Sequence, residues 1–132
     1  MMIAHGVDLV DIAHTARLLA DPTDQLLTRC FTLHEQESAG TGADRAARLS
    51  GRLAIKEAVM KALGTGFSGG VGFLSIEVVT SPSGAPTIAL HGKAKTCAEA
   101  LGIVSWLVST SHEGDMAMAS VIALGDQSAP NS

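Results

Sequence analysis

Hydrophobic residues recur at helical spacing in the segment GRLAIKEAVMKALGTGF, from Gly51 to Phe67. At about 100° per residue they form one broad apolar face, made of Ala54, Ile55, Ala58, Val59, Ala62 and Leu63. Glu57 and Lys61, four residues apart, lie beside this face instead of opposite it. The pattern predicts a long helix that begins at residue 43 or 44, ends near residue 63 and carries two charges at the margin of its buried side.

The residues before this helix predict a strand and two or three short helices. The opening MMIAHGVDLV is apolar and β-branched, which favours a buried strand. Asp11 stands at the N-cap position of a following helix, IAHTARLLA, which Pro22 ends. Asp24 is placed to cap a short helix, QLLTRC, and Thr32 with Glu35 forms a capping box for the next one.

After the long helix the hydrophobic pattern changes from helical spacing to alternation. FLSIEVVT and TIALHG flank the turn sequence SPSGAP, which predicts a β-hairpin. KAKTCAEALG predicts a short helix, and IVSWLVSTS and MAMASVIAL predict two strands that pair antiparallel through HEGD. The order of elements is α+β, in a single domain over residues 1–125 with a flexible tail at 126–132.

Composition narrows the classes of function. The 132 residues are 46% hydrophobic and 17% charged, which favours a globular domain with a sizeable core. A net charge of −4 and 3% aromatic residues argue against a nucleic-acid partner. No uncharged apolar run approaches the roughly 20 residues of a membrane helix, so we expect no membrane contact and a cytoplasmic location. Cys30 and Cys97 match no zinc spacing and indicate reduced thiols.

Asp8 and Glu57 are the candidate chemical groups. Asp8 interrupts an apolar strand, where its carboxylate needs a cation or several hydrogen bonds, and capping of the following helix is the alternative. An ion pair with Lys61, worth a few tenths of a kcal/mol, is the alternative for Glu57. Two carboxylates from distant segments fit Mg²⁺, which takes one or two carboxylates together with waters and phosphate oxygens. Lys61 would then neutralise phosphate.

Other polar segments carry weaker signals. GTGFSGGVG is no phosphate-binding loop, because it lacks the GxxxxGK[ST] pattern, and Gly64 is expected to end the long helix. His112 is predicted to lie in a solvated loop between strands. The other histidines show no ligand spacing: His5, His14, His34 and His91.

Four segments together resemble a known family. GVDLVDI, FTLHE, GRLAIKEAVMKALGTG and VSTSHE occur in the order and over the span typical of holo-acyl carrier protein synthase, the small 4′-phosphopantetheinyl transferase family. The resemblance implies the fold of that family, a small antiparallel sheet packed with a long helix. It also implies a homotrimer with a coenzyme A site between each two subunits.

The resemblance further implies Mg²⁺-dependent transfer of 4′-phosphopantetheine from coenzyme A to a serine of an apo acyl carrier protein. Adenosine 3′,5′-bisphosphate is released, and the pathway served is fatty acid biosynthesis. Asp8 and Glu57 would bind the metal, Glu57 and Lys61 would be catalytic, and Arg17 would contact the carrier. Residues implied to contact coenzyme A are Arg52, Lys61, Gly64, Thr65, Gly66 and His112.

The chain departs from the family pattern at several positions. Leu53 replaces an aromatic residue, Ile55 replaces alanine, and Glu113 follows the histidine where some relatives have aspartate. The first helix offers Arg17 as its one basic residue besides histidine, where the family has several. Three alternatives stay open: the same chemistry on a polyketide-type carrier, a non-catalytic trimeric binding module, and an unrelated Mg²⁺-dependent phosphohydrolase.

Overall fold

The computed structural model describes residues 1–65 and 70–126, and within them five helices and five strands follow one another in an α+β order. The strands are β1 (Met2–Asp11), β2 (Ile76–Thr80), β3 (Pro86–Leu90), β4 (Ile103–Glu113) and β5 (Met116–Gly125). The helices are α1 (Ile12–Ala20), α2 (Leu26–Cys30), α3 (Leu33–Ser38), α4 (Arg45–Leu63) and α5 (Gly92–Ala100).

Strands β1, β5 and β4 form an antiparallel sheet with β5 in the centre, so the predicted pairing of the last two strands is confirmed. The side chains of β5 alternate between buried and more exposed positions, because α4 covers one face of the sheet. The predicted hairpin of β2 and β3 is also confirmed as a separate two-stranded sheet.

Local hydrogen bonds set the helix boundaries largely as predicted. The Asp11 carboxylate accepts the His14 N–H at 3.2 Å and caps α1. Thr32 and Glu35 form both bonds of the capping box at α3. Asp24 accepts the Leu26 N–H at 2.7 Å, and Gly64 ends α4 with a φ of 75°, a left-handed conformation that glycine adopts without strain.

Two predicted boundaries are wrong. The loop expected at HEGD is reduced to a turn at Gly114 and Asp115, because β4 and β5 stay paired up to Glu113 and Met116. His112 therefore lies in β4, opposite Ala117, and not in a loop. The first residues of FLSIEVVT form a 3-10 turn at Phe73–Ser75 instead of a strand, closed by a hydrogen bond from Ser75 N–H to the Gly72 carbonyl.

The core has two parts on either side of α4. One lies between α4 and the large sheet, and the other lies between α4 and helices α1 to α3. Cys30 is buried and Cys97 is half-buried, and both are free thiols. Of the helices described, none has the length and hydrophobicity that crossing a bilayer requires. Residues 127–132 of the predicted tail lie outside the described residues.

Candidate active site

A close approach of β1 to α4 brings Asp8 and Glu57 together. Gly6 of β1 lies against the backbone of α4, where a Cβ atom would overlap the carbonyl oxygen of Ala58. Asp8 is two residues further along the same face of β1, and Glu57 precedes Ala58 on α4. The contact therefore places a carboxylate from each element at one point, as the sequence predicted for this pair.

Lys61 binds Asp8 and not Glu57. Its Nζ donates to Asp8 Oδ1 at 2.6 Å and to the Val7 carbonyl at 3.0 Å. The Lys61 side chain is 59% exposed, whereas the Asp8 side chain is 13% exposed. Both alternative interpretations are therefore wrong: Lys61 forms no ion pair with Glu57 in the described part of the chain, and the cap of α1 is Asp11, not Asp8.

The electrostatics of this cluster favour an additional positive charge. Burial first, and then the adjacent Asp8 carboxylate, raise the pKa of Glu57 to about 8, although Lys61 acts in the opposite direction. The hydrogen bond to Asp8 in turn raises the pKa of Lys61. Asp8 Oδ2 is buried, and the hydrogen bond between the Glu57 and Asp8 side chains requires that Glu57 keep its proton. Two adjacent buried carboxyl groups, one of which must stay protonated, form a site where a cation would replace that proton.

The donor set fits a magnesium ion. The described residues contain no group of three or more histidine, cysteine, aspartate or glutamate side chains that would enclose a metal. Asp8 and Glu57 would therefore supply one or two ligands and leave the other positions to water or substrate. Mg²⁺ is commonly bound in this way at phosphate-processing sites, where it keeps several waters.

Arg52 and His112 line a different cavity. This cavity has a volume of about 270 Å³ and lies between α4, the tip of the β2–β3 hairpin and the end of β4. Arg52 also donates to the Glu35 carbonyl at 3.4 Å, which holds its guanidinium near α3. Both side chains therefore line one cavity, whose described lining does not include Asp8.

A second cleft of about 330 Å³ opens beside Glu57. Its floor is apolar and includes Leu26, Leu53 and Phe73, while His14 and Arg29 lie at its rim. Of the described residues, none lines both this cleft and the cavity of Arg52 and His112. Since positions 52 and 57 are about 140° apart around a helix, α4 separates the two groups.

The remaining predicted residues are only partly placed. Gly64 and the half-buried Thr65 follow the last turn of α4, directly after Lys61, and Gly66 lies outside the described residues. Arg17 is exposed on α1, and its guanidinium lies 3.4 Å from His14 Nδ1.

A buried ion pair escaped the sequence analysis. Lys56 Nζ lies 2.6 Å from Glu35 Oε1, and both side chains are fully buried. Glu35 was predicted to cap α3, but not to bind a lysine. The sequence did contain a signal for its burial. Lys56 is three residues after Leu53 and four before Met60, so it lies on the same side of α4 as these two buried residues.

Comparison with known proteins agrees with the predicted family. Residues 4–119 match the 4′-phosphopantetheinyl transferase superfamily. A holo-[acyl-carrier-protein] synthase from Gloeobacter violaceus is 46% identical over 91% of this chain and 91% of its own length. One from Nitratidesulfovibrio vulgaris is 43% identical over 92% and 98%.

A solved structure agrees as well. Holo-[acyl-carrier-protein] synthase from Helicobacter pylori, in complex with coenzyme A, superposes with a TM-score of 0.79 and 30% identity. The match covers 91% of this chain and 99% of that one. The predicted family is thus confirmed: the chain belongs to the 4′-phosphopantetheinyl transferase superfamily.

Proposed function

We propose that this chain is a holo-acyl carrier protein synthase. It transfers 4′-phosphopantetheine from coenzyme A to a serine hydroxyl of an apo acyl carrier protein, in the cytoplasm and for fatty acid biosynthesis, and releases adenosine 3′,5′-bisphosphate. The observation that carries the proposal is the cluster of Asp8, Glu57 and Lys61 in a chain of this family. The serine oxygen forms the new bond to phosphorus as the bond to the bisphosphate oxygen breaks.

Asp8 and Glu57 would hold Mg²⁺ in this reaction. When bound, the metal polarises the diphosphate and neutralises charge that develops on its oxygens. Lys61 supplies a second positive charge. Its side chain is largely exposed and its ammonium lies at the edge of the cluster, where it is open to substrate phosphate oxygens. Lys61 is therefore assigned to bind phosphate oxygens of coenzyme A.

Glu57 is the candidate acceptor of the serine proton. Its side chain lines the cleft beside the cluster, so a hydroxyl group that enters the cleft would meet its carboxylate. The cleft next to Glu57 gives the carrier serine a route to the site. A water molecule at the site is the alternative proton acceptor.

A homotrimer accounts for two features of the isolated chain. The face of the large sheet opposite α4 exposes large apolar side chains that no described element covers: Val7, Leu9, Leu107, Met116 and Met118. Exposed apolar patches of this kind usually mark protein interfaces. Within one chain, Arg52 and His112 lie apart from Asp8. A neighbouring subunit would bring its own Arg52 and His112 to the Asp8 site.

The decisive experiment combines the protein with coenzyme A, Mg²⁺ and a panel of fatty-acid-type and polyketide-type apo carriers, followed by mass spectrometry of each carrier. We expect at least one carrier to gain one phosphopantetheine, and none to do so with EDTA. Hydrolysis of coenzyme A without carrier modification would favour a phosphohydrolase. Binding of coenzyme A without reaction, while an active family member modifies the same carriers, would favour a binding module.

Salt should weaken carrier recognition only modestly. Exposed charges are screened beyond about 8 Å at physiological ionic strength, so an interface with several arginines is strongly salt-dependent. The exposed side of α1 offers mainly Arg17, and the half-buried Leu18 and Leu19 add apolar contact. We expect a small rise in KM for the carrier between low and physiological salt, and a larger KM in Arg17→Ala. A steep salt dependence that persists in Arg17→Ala would place the basic surface elsewhere.

The stability of the metal-free protein should decrease with pH. The folded state holds the Glu57 proton up to a pKa of about 8, whereas the unfolded state loses it near the ordinary pKa of 4.5. The unfolded state thus binds fewer protons in this window, and unfolding becomes easier as the pH rises through it. Melting temperatures in EDTA should fall from about pH 5 to about pH 8, less steeply in Glu57→Gln. Mg²⁺ should reduce the fall, and equal slopes in both proteins would contradict the assignment.

A further inference from the structure

The pair of Lys56 and Glu35 is fully buried, and both side chains form several hydrogen bonds. Glu35 accepts from Lys56 Nζ at 2.6 Å, from Thr32 N–H at 2.8 Å and from Val78 N–H at 2.8 Å. Lys56 also donates to the Phe73 carbonyl at 2.9 Å, and its ammonium lies 5.4 Å from the centre of the Phe31 ring. Each charge therefore has several partners, and burial lowers the pKa of Lys56 against the opposing effect of Glu35.

Stability alone does not account for this pair. Desolvation of two charges costs several kcal/mol per ion, and replacement of a buried ion pair by apolar residues is often neutral or stabilising. What the pair does provide is a fixed geometry among segments far apart in the chain. It joins the start of α3, the middle of β2 and the 3-10 turn at Phe73 to the middle of α4.

Two of these attachments lead to the candidate active site. Lys56 immediately precedes Glu57, so the same helical turn carries the ion pair and the candidate metal ligand. Phe73, whose carbonyl Lys56 binds, lines the cleft beside Glu57. The cleft is the proposed route of the carrier serine, so the hydrogen bond from Lys56 holds one wall of that route against α4.

We propose that Lys56 and Glu35 are positioning residues that hold β2 and Phe73, one wall of the cleft beside Glu57, in place on α4. The inference rests on the proposed function, because the cleft is taken to admit the carrier serine. The pair touches no reacting atom. It sets where the Phe73 wall lies relative to Glu57, and its loss should act on carrier binding more than on the metal ligands.

The test uses the variant Glu35→Gln/Lys56→Met, which leaves no stranded charge and keeps an oxygen acceptor for Thr32 or Val78. We expect KM for the carrier to rise at least about fivefold, with kcat per folded molecule and Mn²⁺ affinity changed by less than about twofold. Ile103→Ala is the control, because Ile103 is a core residue at the start of β4, on none of the segments that the pair joins. It should lower the melting temperature and leave KM unchanged.

Hydrogen exchange gives an independent readout that needs no activity. Amides of residues 71–78 should exchange faster in the double variant than in the wild type, whereas amides of β5 should not. Unchanged exchange in residues 71–78, or an unchanged KM in an active and folded double variant, would overturn the proposal. Failure of the wild type to modify any carrier would instead refute the proposed function, and hydrogen exchange would still decide whether the pair anchors this segment.

Discussion

Asp8→Ala and Glu57→Ala should each lower kcat/KM by well over tenfold, which corresponds to a loss of about 1.4 kcal/mol or more of transition-state stabilisation. Both carboxylates lie at one point between β1 and α4, and Asp8 Oδ2 has no other partner. Removal of either one leaves a single ligand for Mg²⁺. The measurement is the initial rate of phosphopantetheine transfer at carrier concentrations well below KM, with Glu99→Ala, an exposed carboxylate on α5, as the matched control.

Stability and metal binding separate this effect from unfolding. Above the raised pKa of about 8, Glu57 is ionised and repels Asp8, so in EDTA above that pH Glu57→Ala should melt no lower than the wild type. Mn²⁺ binding, followed by electron paramagnetic resonance, should weaken in both variants and stay unchanged in Glu99→Ala. Full activity in either carboxylate variant would remove that residue from the site.

Local signals in the sequence predicted much of the fold. Asp11, Thr32 and Gly64 satisfy backbone groups within a few residues of their own position, so each boundary can be inferred from a short window. The end of β4 could not be inferred in this way. HEGD contains glycine and charges typical of a loop, but pairing with the central strand β5 continues to Glu113, and this pairing is a tertiary effect.

The candidate site was predicted in part for the same reason. Asp8 and Glu57 stood out because each interrupts an apolar pattern, and the structure brings them together. The partner of Lys61 depends on the approach of β1, which spacing within α4 does not encode. The separation of Arg52 from Glu57 follows from helix geometry, yet the residues opposite each side are known only from the tertiary fold. The buried position of Lys56 could not be predicted without the position of Glu35, its ion-pair partner 21 residues earlier.

Gly6→Ala should strongly destabilise the protein. The added methyl group should cost more stability here than at any other described glycine of β1 or α4. A Cβ atom at position 6 would overlap the Ala58 carbonyl oxygen and lie 3.2 Å from the Ala62 nitrogen. Both atoms belong to the helix backbone, so no side-chain rotation relieves the overlap, and β1 must move away from α4. Overpacking of this kind costs about 3 kcal/mol or more, which corresponds to a melting temperature lower by about 10 °C.

The matched control is Gly51→Ala, the same methyl addition within α4. A Cβ atom at position 51 meets nothing within 4 Å, and alanine is favoured over glycine inside a helix by about 0.5–1 kcal/mol. Gly51→Ala should therefore leave the melting temperature unchanged or raise it slightly. Both variants and the wild type are compared at one protein concentration, since assembly makes melting temperatures depend on concentration.

The same substitution tests how the site is built. Displacement of β1 from α4 moves Asp8 away from Glu57, so the raised pKa of Glu57 should return toward its ordinary value in Gly6→Ala. The transfer rate per folded molecule should then fall together with Mn²⁺ affinity, below the melting temperature of the variant. A Gly6→Ala protein that melts within about 2 °C of the wild type would show that β1 and α4 are not in close contact at this glycine. The explanation that this contact brings the two carboxylates together would then be wrong.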